Sequence, residues 1–177
     1  MSAALVVSAG AAGAVVSTGT RGIIRDMLAK KWFDVVITTC GALDHDIARH
    51  FSDYKMGSFT MDDSQLADQN IHRLGNVIVP MESYGPLIEE KMQQILEECY
   101  KNGMKEMSTA DITREIGKRL GEDSFLFWAQ KNNIPVIVPG IMDGAVGSQI
   151  WMFSQKHSDF KLNMTQDANT LSGLVFK

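Results

Sequence analysis

Asp34 to Phe51 reads DVVITTCGALDHDIARHF. Its first part, Val35 to Thr39, is a short continuous apolar run rich in β-branched residues, the pattern of a strand buried on both faces. Its last part, Asp44 to Phe51, has the spacing of a helix, with Asp44 placed to cap the helix start. Gly41 permits the turn between them. A buried strand that delivers polar residues into the start of a helix is the repeating unit of a parallel α/β sheet.

The same alternation continues on either side. Ala4 to Ser8 is a short apolar strand, followed by a loop, Ala9 to Ala14, made only of Ala and Gly. Thr18 to Lys31 carries Ile23, Ile24, Met27 and Leu28 as a helical stripe. Downstream, Asp62 to Gln69 is a short helix, and Val77 to Val79 is a third strand stopped by Pro80. Ser83 to Lys101 is the longest helix, with Leu87, Ile88, Met92, Ile95, Leu96 and Cys99 on one face and Asn102-Gly103 as its stop. Ser108 and Asp111 form a capping-box pattern that opens a helix over Ser108 to Leu120. Ser124 to Lys131 is helical, Ile134 to Val138 is a fourth strand, and Gly147 to Lys156 is helical. Thr165 to Phe176 is a last helix or a helix–strand mix. The pattern predicts an α/β fold, a parallel sheet with helices on both faces, in one domain spanning 1–177. The closing residues LVFK carry no cap or turn, so the expectation is that a larger fold continues beyond them.

Composition excludes several classes. The chain has 177 residues, enough for one buried core, with 45% hydrophobic and 21% charged residues. Its net charge of −4 argues against nonspecific nucleic-acid binding, which needs a cationic face. No apolar run reaches the length of a membrane span. The N-terminal stretch has no Lys or Arg before Arg21, so the charged start of a signal peptide is missing. The two cysteines, Cys40 and Cys99, match no metal or disulfide spacing. A reduced, cytoplasmic protein is the simplest account.

Ligands of open parallel sheets bind at the carboxyl ends of the strands, so the residues just after each strand carry the candidate chemistry. The Ala9–Ala14 loop lets a ligand approach the backbone, or simply packs strand against helix. Asp44 and His45 can bind an amine or relay a proton; equally, Asp44 is only a cap and His45 a surface residue. A metal site from Asp44, His45 and His50 is disfavoured by the spacing. Glu82 faces a cation or supports the start of the long helix. Asp143-Gly144 is the best single site candidate, with a plain turn as its alternative. Cys40, on a strand-end loop, is a nucleophile or a small buried hydrophobe.

Five segments in order bring a family into view: STGTRGIIRDML (17–28), DVVITTCGALDHDIARHF (34–51), GSFTMDD (57–63), IHRLGNVIVPMESYG (71–85) and FWAQKNNIPVIVPGIMDGAVGSQIW (127–151). Together the chain resembles deoxyhypusine synthase in its archaeal-like form, over nearly its whole length. The resemblance implies a Rossmann-like fold and an NAD-dependent transferase. Such enzymes move the 4-aminobutyl group of spermidine onto a lysine of the hypusine-bearing translation factor precursor, through an imine held on an enzyme lysine. They are tetramers with sites at dimer interfaces. By position, the implied NAD contacts are Gly13, Ala14, Val15, Val16, Ser17, Thr39, Cys40, Gly41, His45 and Asp143. The implied polyamine contacts are Asp44, His45 and Ser148.

The sequence departs from the eukaryotic pattern. Ala12-Gly13-Ala14 replaces Thr-Ser-Asn, His45 replaces a Glu, Ser148 replaces an Asp, and Met81 replaces an Asn. The family's glycine-rich segment with the catalytic lysine would begin soon after Lys177. The expectation is therefore a fold incomplete relative to the family's. The chain would then be a subunit inactive alone, its lysine supplied by a partner chain in a hetero-oligomer. Two other readings compete: a catalytically inactive regulatory paralogue, and a homospermidine synthase-like enzyme.

Overall fold

The computed structural model describes residues 7–175. In chain order the elements are β1 (Ser8–Ala11), α1 (Gly13–Ser17), α2 (Arg21–Ala29), β2 (Val35–Thr38), α3 (Cys40–Phe51) and β3 (Lys55–Met56). Next come α4 (Asp63–Asp68), β4 (Ile71–Leu74), β5 (Val77–Pro80), a 3-10 turn at Met81–Ser83 and α5 (Gly85–Lys101). The chain continues through β6 (Glu106–Met107), α6 (Thr109–Gly117), α7 (Phe125–Lys131), β7 (Val136–Ile137), α8 (Ala145–Lys156), β8 (Lys161–Leu162) and α9 (Met164–Val175). No helix among the described residues is long and apolar enough to cross a membrane.

The fold is mixed α/β. A parallel sheet is present, with three strands in the order β1-β2-β7 and the registers Ala9↔Val36 and Val36↔Val136. Two further sheets accompany it, a three-stranded antiparallel β3-β5-β4 and a parallel pair β6-β8. The expected third strand, Val77 to Val79, is thus a strand but not a member of the main sheet. It pairs with β4 across the two-residue turn Gly75-Asn76, where Gly75 takes φ +65. Gly-Asn between two extended runs is a hairpin signal. The first strand begins at Ser8; Ala4, Leu5 and Val6 lie outside the described residues, as do Phe176 and Lys177.

Of the two caps expected from the sequence, the box at Ser108 and Asp111 is present, and side-chain caps at Asp62 and Ser124 join it. Asp62 accepts the Ser64 and Gln65 N–H groups, Ser108 and Asp111 form a full capping box, and Ser124 accepts the Phe127 N–H. The expected helix over Thr18 to Lys31 is α2, shorter at both ends, while the expected Ala9–Ala14 loop is taken up by the end of β1 and the start of α1. The helix expected from Asp44 starts earlier, at Cys40, with Thr39 as its N-cap. So Asp44 does not cap its own helix.

Helix α3 forms the middle of the molecule. Every residue from Ala42 to Ala48 is buried, including Asp44, His45 and Asp46. Leu43 and Ile47 meet Ile88, Met92 and Leu96 of α5, Ile112 and Ile116 of α6, Phe125 of α7 and Phe153 of α8 in one core. Val36 and Val136 point the sheet into that core. The opposite face of the sheet is covered thinly: Val35 and Ile137 meet Ala110, with Leu171 and Leu174 of α9 packed against them.

Three buried aspartates join the elements. Asp44 accepts the Ala145 and Val146 N–H groups at the start of α8. Asp46 accepts the Phe125 and Leu126 N–H groups at the start of α7. Asp167 accepts the Thr109 and Ala110 N–H groups at the start of α6. Each carboxylate meets the positive end of a helix that begins far away in sequence, satisfying N–H groups the helix cannot pair itself. Among the described residues, only Asp46 of the three adds a cation, with Arg21 Nε at 2.6 Å.

Candidate active site

The carboxyl ends of β1, β2 and β7 open onto a crevice of 410 Å³ lined by Ala11, Ala12, Ile37, Thr38, Thr39, Pro139, Gly140 and Asp143. That volume falls in the usual range for small-molecule clefts, ~300–1,000 Å³. The loops following all three strands contribute to it. Its walls are built by close backbone approach. The Gly13 N–H donates to Thr39 Oγ1 at 2.9 Å, and the Thr38 hydroxyl donates to the Ala11 carbonyl. A Cβ on Gly13 would lie 2.8 Å from the Gly41 carbonyl carbon, so only glycine lets α1 and α3 start side by side. On the third side, a turn closed by the Asp143 N–H and the Gly140 carbonyl at 3.0 Å sets Asp143, which is exposed, at the rim.

A second pocket of 320 Å³ lies between α3 and the antiparallel sheet, lined by His45, His72, Arg73, Leu74, Val79 and Tyr84. His45 Nδ1 is 2.8 Å from the Tyr54 hydroxyl, and its ring tilts against Tyr84 with centroids 5.3 Å apart. Burial pushes the imidazole pKa down, against the pull of the Asp44 carboxylate. Burial and the charge of Asp44 both push the Tyr84 phenol up, so it stays a hydroxyl and donates to Asp44 Oδ2 at 2.7 Å.

The structure divides the expected site residues into groups. Thr39 and Asp143 line the crevice, and Gly13 and Gly41 shape its wall. Val15 is exposed, whereas Val16 and Ser17 are buried, backbone included, so neither offers a surface to a ligand. Cys40 is fully buried, and burial followed by the Asp44 charge pushes its thiol up to about 12. It is a core residue and not a nucleophile. Asp44 has no exposed surface, and its oxygens are taken by Ala145, Val146, Tyr84 and the Cys40 thiol. In place of the expected direct grip on an amine, it anchors α8. His45 faces the second pocket and is absent from the crevice lining. Ser148 is exposed one turn into α8, its hydroxyl bonded to the Gly144 carbonyl at 3.0 Å. Glu82 is exposed in the 3-10 turn and lines neither pocket.

Sequence reasoning missed Ile37, Tyr54 and Tyr84. Ile37 had no signal, because Val35 to Ile37 is continuously apolar; only the structure shows that the odd-numbered residues of β2 face away from the main core. Tyr84 had a signal only in its place just after a strand. Tyr54 had none.

Comparison with known proteins bears on the family and the fold. The sequence model of the family described as deoxyhypusine synthase matches residues 1–177. A probable deoxyhypusine synthase of Thermoplasma volcanium is 52% identical over 163 residues, covering 92% of this chain and 52% of that protein. Another from Picrophilus torridus is 50% identical over the same shares. A crystal structure from Entamoeba histolytica, assigned as a deoxyhypusine synthase, has the same fold, with a TM-score of 0.67 and 22% identity over 95% of this chain and 52% of that one. The chain thus spans about half the length of the relatives it matches. Its 177 residues belong to the deoxyhypusine synthase family.

Proposed function

We propose that the chain is the cofactor-binding part of an NAD-dependent transferase. It moves the 4-aminobutyl group of spermidine to a lysine of the hypusine-bearing translation factor precursor, with the catalytic lysine supplied by a second chain. The observation that carries this reading is the crevice at the ends of three parallel strands, walled by small residues, with one carboxylate, Asp143, at its rim. The three strands are read as part of a Rossmann-like sheet in a single domain.

The residues present fit a dinucleotide. Alanine at 11 and 12 keeps the wall low, Gly13 and Gly41 let the starts of α1 and α3 pack side by side behind it, and Asp143 offers an acceptor for hydroxyl groups. The backbone from Gly13 to Val15, with Thr39, Gly41 and Asp143, would hold it, while Val16, Ser17 and Cys40 lie buried behind them. NAD bound there supplies the hydride acceptor. Ser148, exposed on α8 one turn beyond Asp143, lies on the side where a polyamine would extend. His45, from the second pocket, presents a largely neutral imidazole in place of a carboxylate.

None of the described residues lining the crevice is a lysine. The amine that captures the aminobutyl group must then come from elsewhere, and a second chain closing the crevice would bring it. Ile37 fits this: it lies in the middle strand yet is 38% exposed, where a parallel sheet is usually covered. An assembly of the tetramer type, with sites shared between chains, follows from the same need.

The experiment mixes the chain with its partner, NAD, spermidine labelled in the butyl group, and the translation factor precursor. Label on one lysine of the precursor, dependent on NAD and on both chains, is the expected result. Label on a free diamine instead would favour homospermidine synthesis. Stimulation of a full-length homologue, unaffected by Asp143→Ala, would favour a regulatory paralogue. No transfer with any co-purified chain would refute the proposal.

A further inference from the structure

Tyr84 lies at the end of the 3-10 turn, where its ring lines the second pocket while its hydroxyl turns away from that pocket to Asp44. Asp44 Oδ2 takes that hydroxyl at 2.7 Å and the Ala145 N–H at 3.0 Å. Oδ1 takes the Val146 N–H at 2.9 Å and the Cys40 thiol at 3.8 Å. Among the described residues no cation pairs with Asp44, unlike Asp46 with its Arg21. The carboxylate is therefore met only by dipoles, and each of its few donors carries a large share of its stabilisation. The backbone between Asp143 and Ala145 is pressed against the same group: a Cβ on Gly144 would come within 2.7 Å of Asp44 Oδ2 and of Cys40 Sγ.

We propose that Tyr84, through Asp44, is a positioning residue for Asp143. The phenol fixes the carboxylate, the carboxylate fixes the first turn of α8, and the one intervening glycine leaves the Asp143 loop no freedom to swing out of the crevice. The claim about cofactor affinity rests on the reading of the crevice as the NAD site; the claim about the α8 start does not.

Tyr84→Phe keeps the ring and removes only the hydroxyl, and Asp44→Asn is a second variant of nearly the same shape. Amide hydrogen exchange on the full chain reads the latch directly. In both variants the Ala145 and Val146 amides should exchange about tenfold faster, the loss of one hydrogen bond to a charged group. The Ala110 amide, held in the same way by Asp167, should be unchanged, which a general loss of stability would not give. In the assembled protein, Tyr84→Phe should weaken NAD binding several-fold, and adding it to Asp143→Ala should weaken it no further, because both changes act on one contact. Unchanged exchange at Ala145 and Val146 overturns the proposal. So does additivity of the two substitutions, or an NAD affinity indifferent to Tyr84 but sensitive to Asp143. If Asp143→Ala itself leaves NAD binding intact, the crevice reading fails, and the exchange result alone still decides the latch.

Discussion

His45 shows how one residue's surroundings redirect its chemistry. Its imidazole is buried against Tyr54 and Tyr84, and that burial holds its pKa below the ordinary value. A group whose folded pKa is depressed binds its proton more readily when unfolded, so folding loses stability as pH falls below the unfolded value, about 6.5 for histidine. Thermal melts of the chain should therefore fall in midpoint as pH drops from about 7.5 to 5.5, and His45→Gln should flatten that slope; equal slopes would count against the buried neutral imidazole. Asp46 makes a second residue-level prediction. It joins Arg21, the Ser124 hydroxyl at 2.6 Å and two N–H groups of α7. Asp46→Asn should cost about 3 kcal/mol in urea unfolding, because it breaks a buried ion pair and leaves the Arg21 guanidinium only the half-exposed Asp123 at 3.1 Å. Both residues were visible in the sequence as polar groups beside a strand end. That Asp44 and Asp46 cap helices about 80 to 100 residues away was not, since such a contact has no local pattern.

At the scale of elements, legibility followed locality. The capping box at Ser108 and Asp111, contained within one turn, was readable and is present, and the caps at Asp62 and Ser124 are equally local. The start of α3 was not, because Gly41 reads as a breaker while tertiary packing against Gly13 makes it part of the helix. Strand β5 was found but given to the wrong sheet, because the run before it, IHRL, is polar and its Gly75-Asn76 turn was overlooked. Helix α8 carries the sharpest element-level test. A Cβ on Gly147 would lie 2.0 Å from the Ile141 carbonyl oxygen, whereas one on Gly173 of α9 would meet nothing within 4 Å. Gly147→Ala should destabilise by roughly 2–3 kcal/mol, the cost of overpacking a fixed backbone contact. Gly173→Ala should stabilise by up to about 1 kcal/mol, by reducing the freedom of the unfolded chain. Chemical denaturation of the two variants checks the pair, and similar shifts in both would contradict the packing described for α8.

For the whole molecule, the alternation of apolar strands and helices was enough to foresee a parallel sheet, and a crevice does open at its carboxyl end. It could not separate three strands of the main sheet from a fourth lying elsewhere, because periodicity says which residues are buried and not against what. Nor could it show that the sheet has one face deep in the core and the other lightly covered, with Ile37 open to solvent. The central claim is that the loops after β1, β2 and β7 form one cofactor crevice. Ala12 is exposed on its wall, so Ala12→Trp should fill the crevice without disturbing the core. Calorimetric titration of NAD into the assembled protein should show affinity at least about a hundredfold weaker for this variant, more than 2.7 kcal/mol of binding free energy by the usual conversion. An affinity equal to that of the unsubstituted protein would contradict the account.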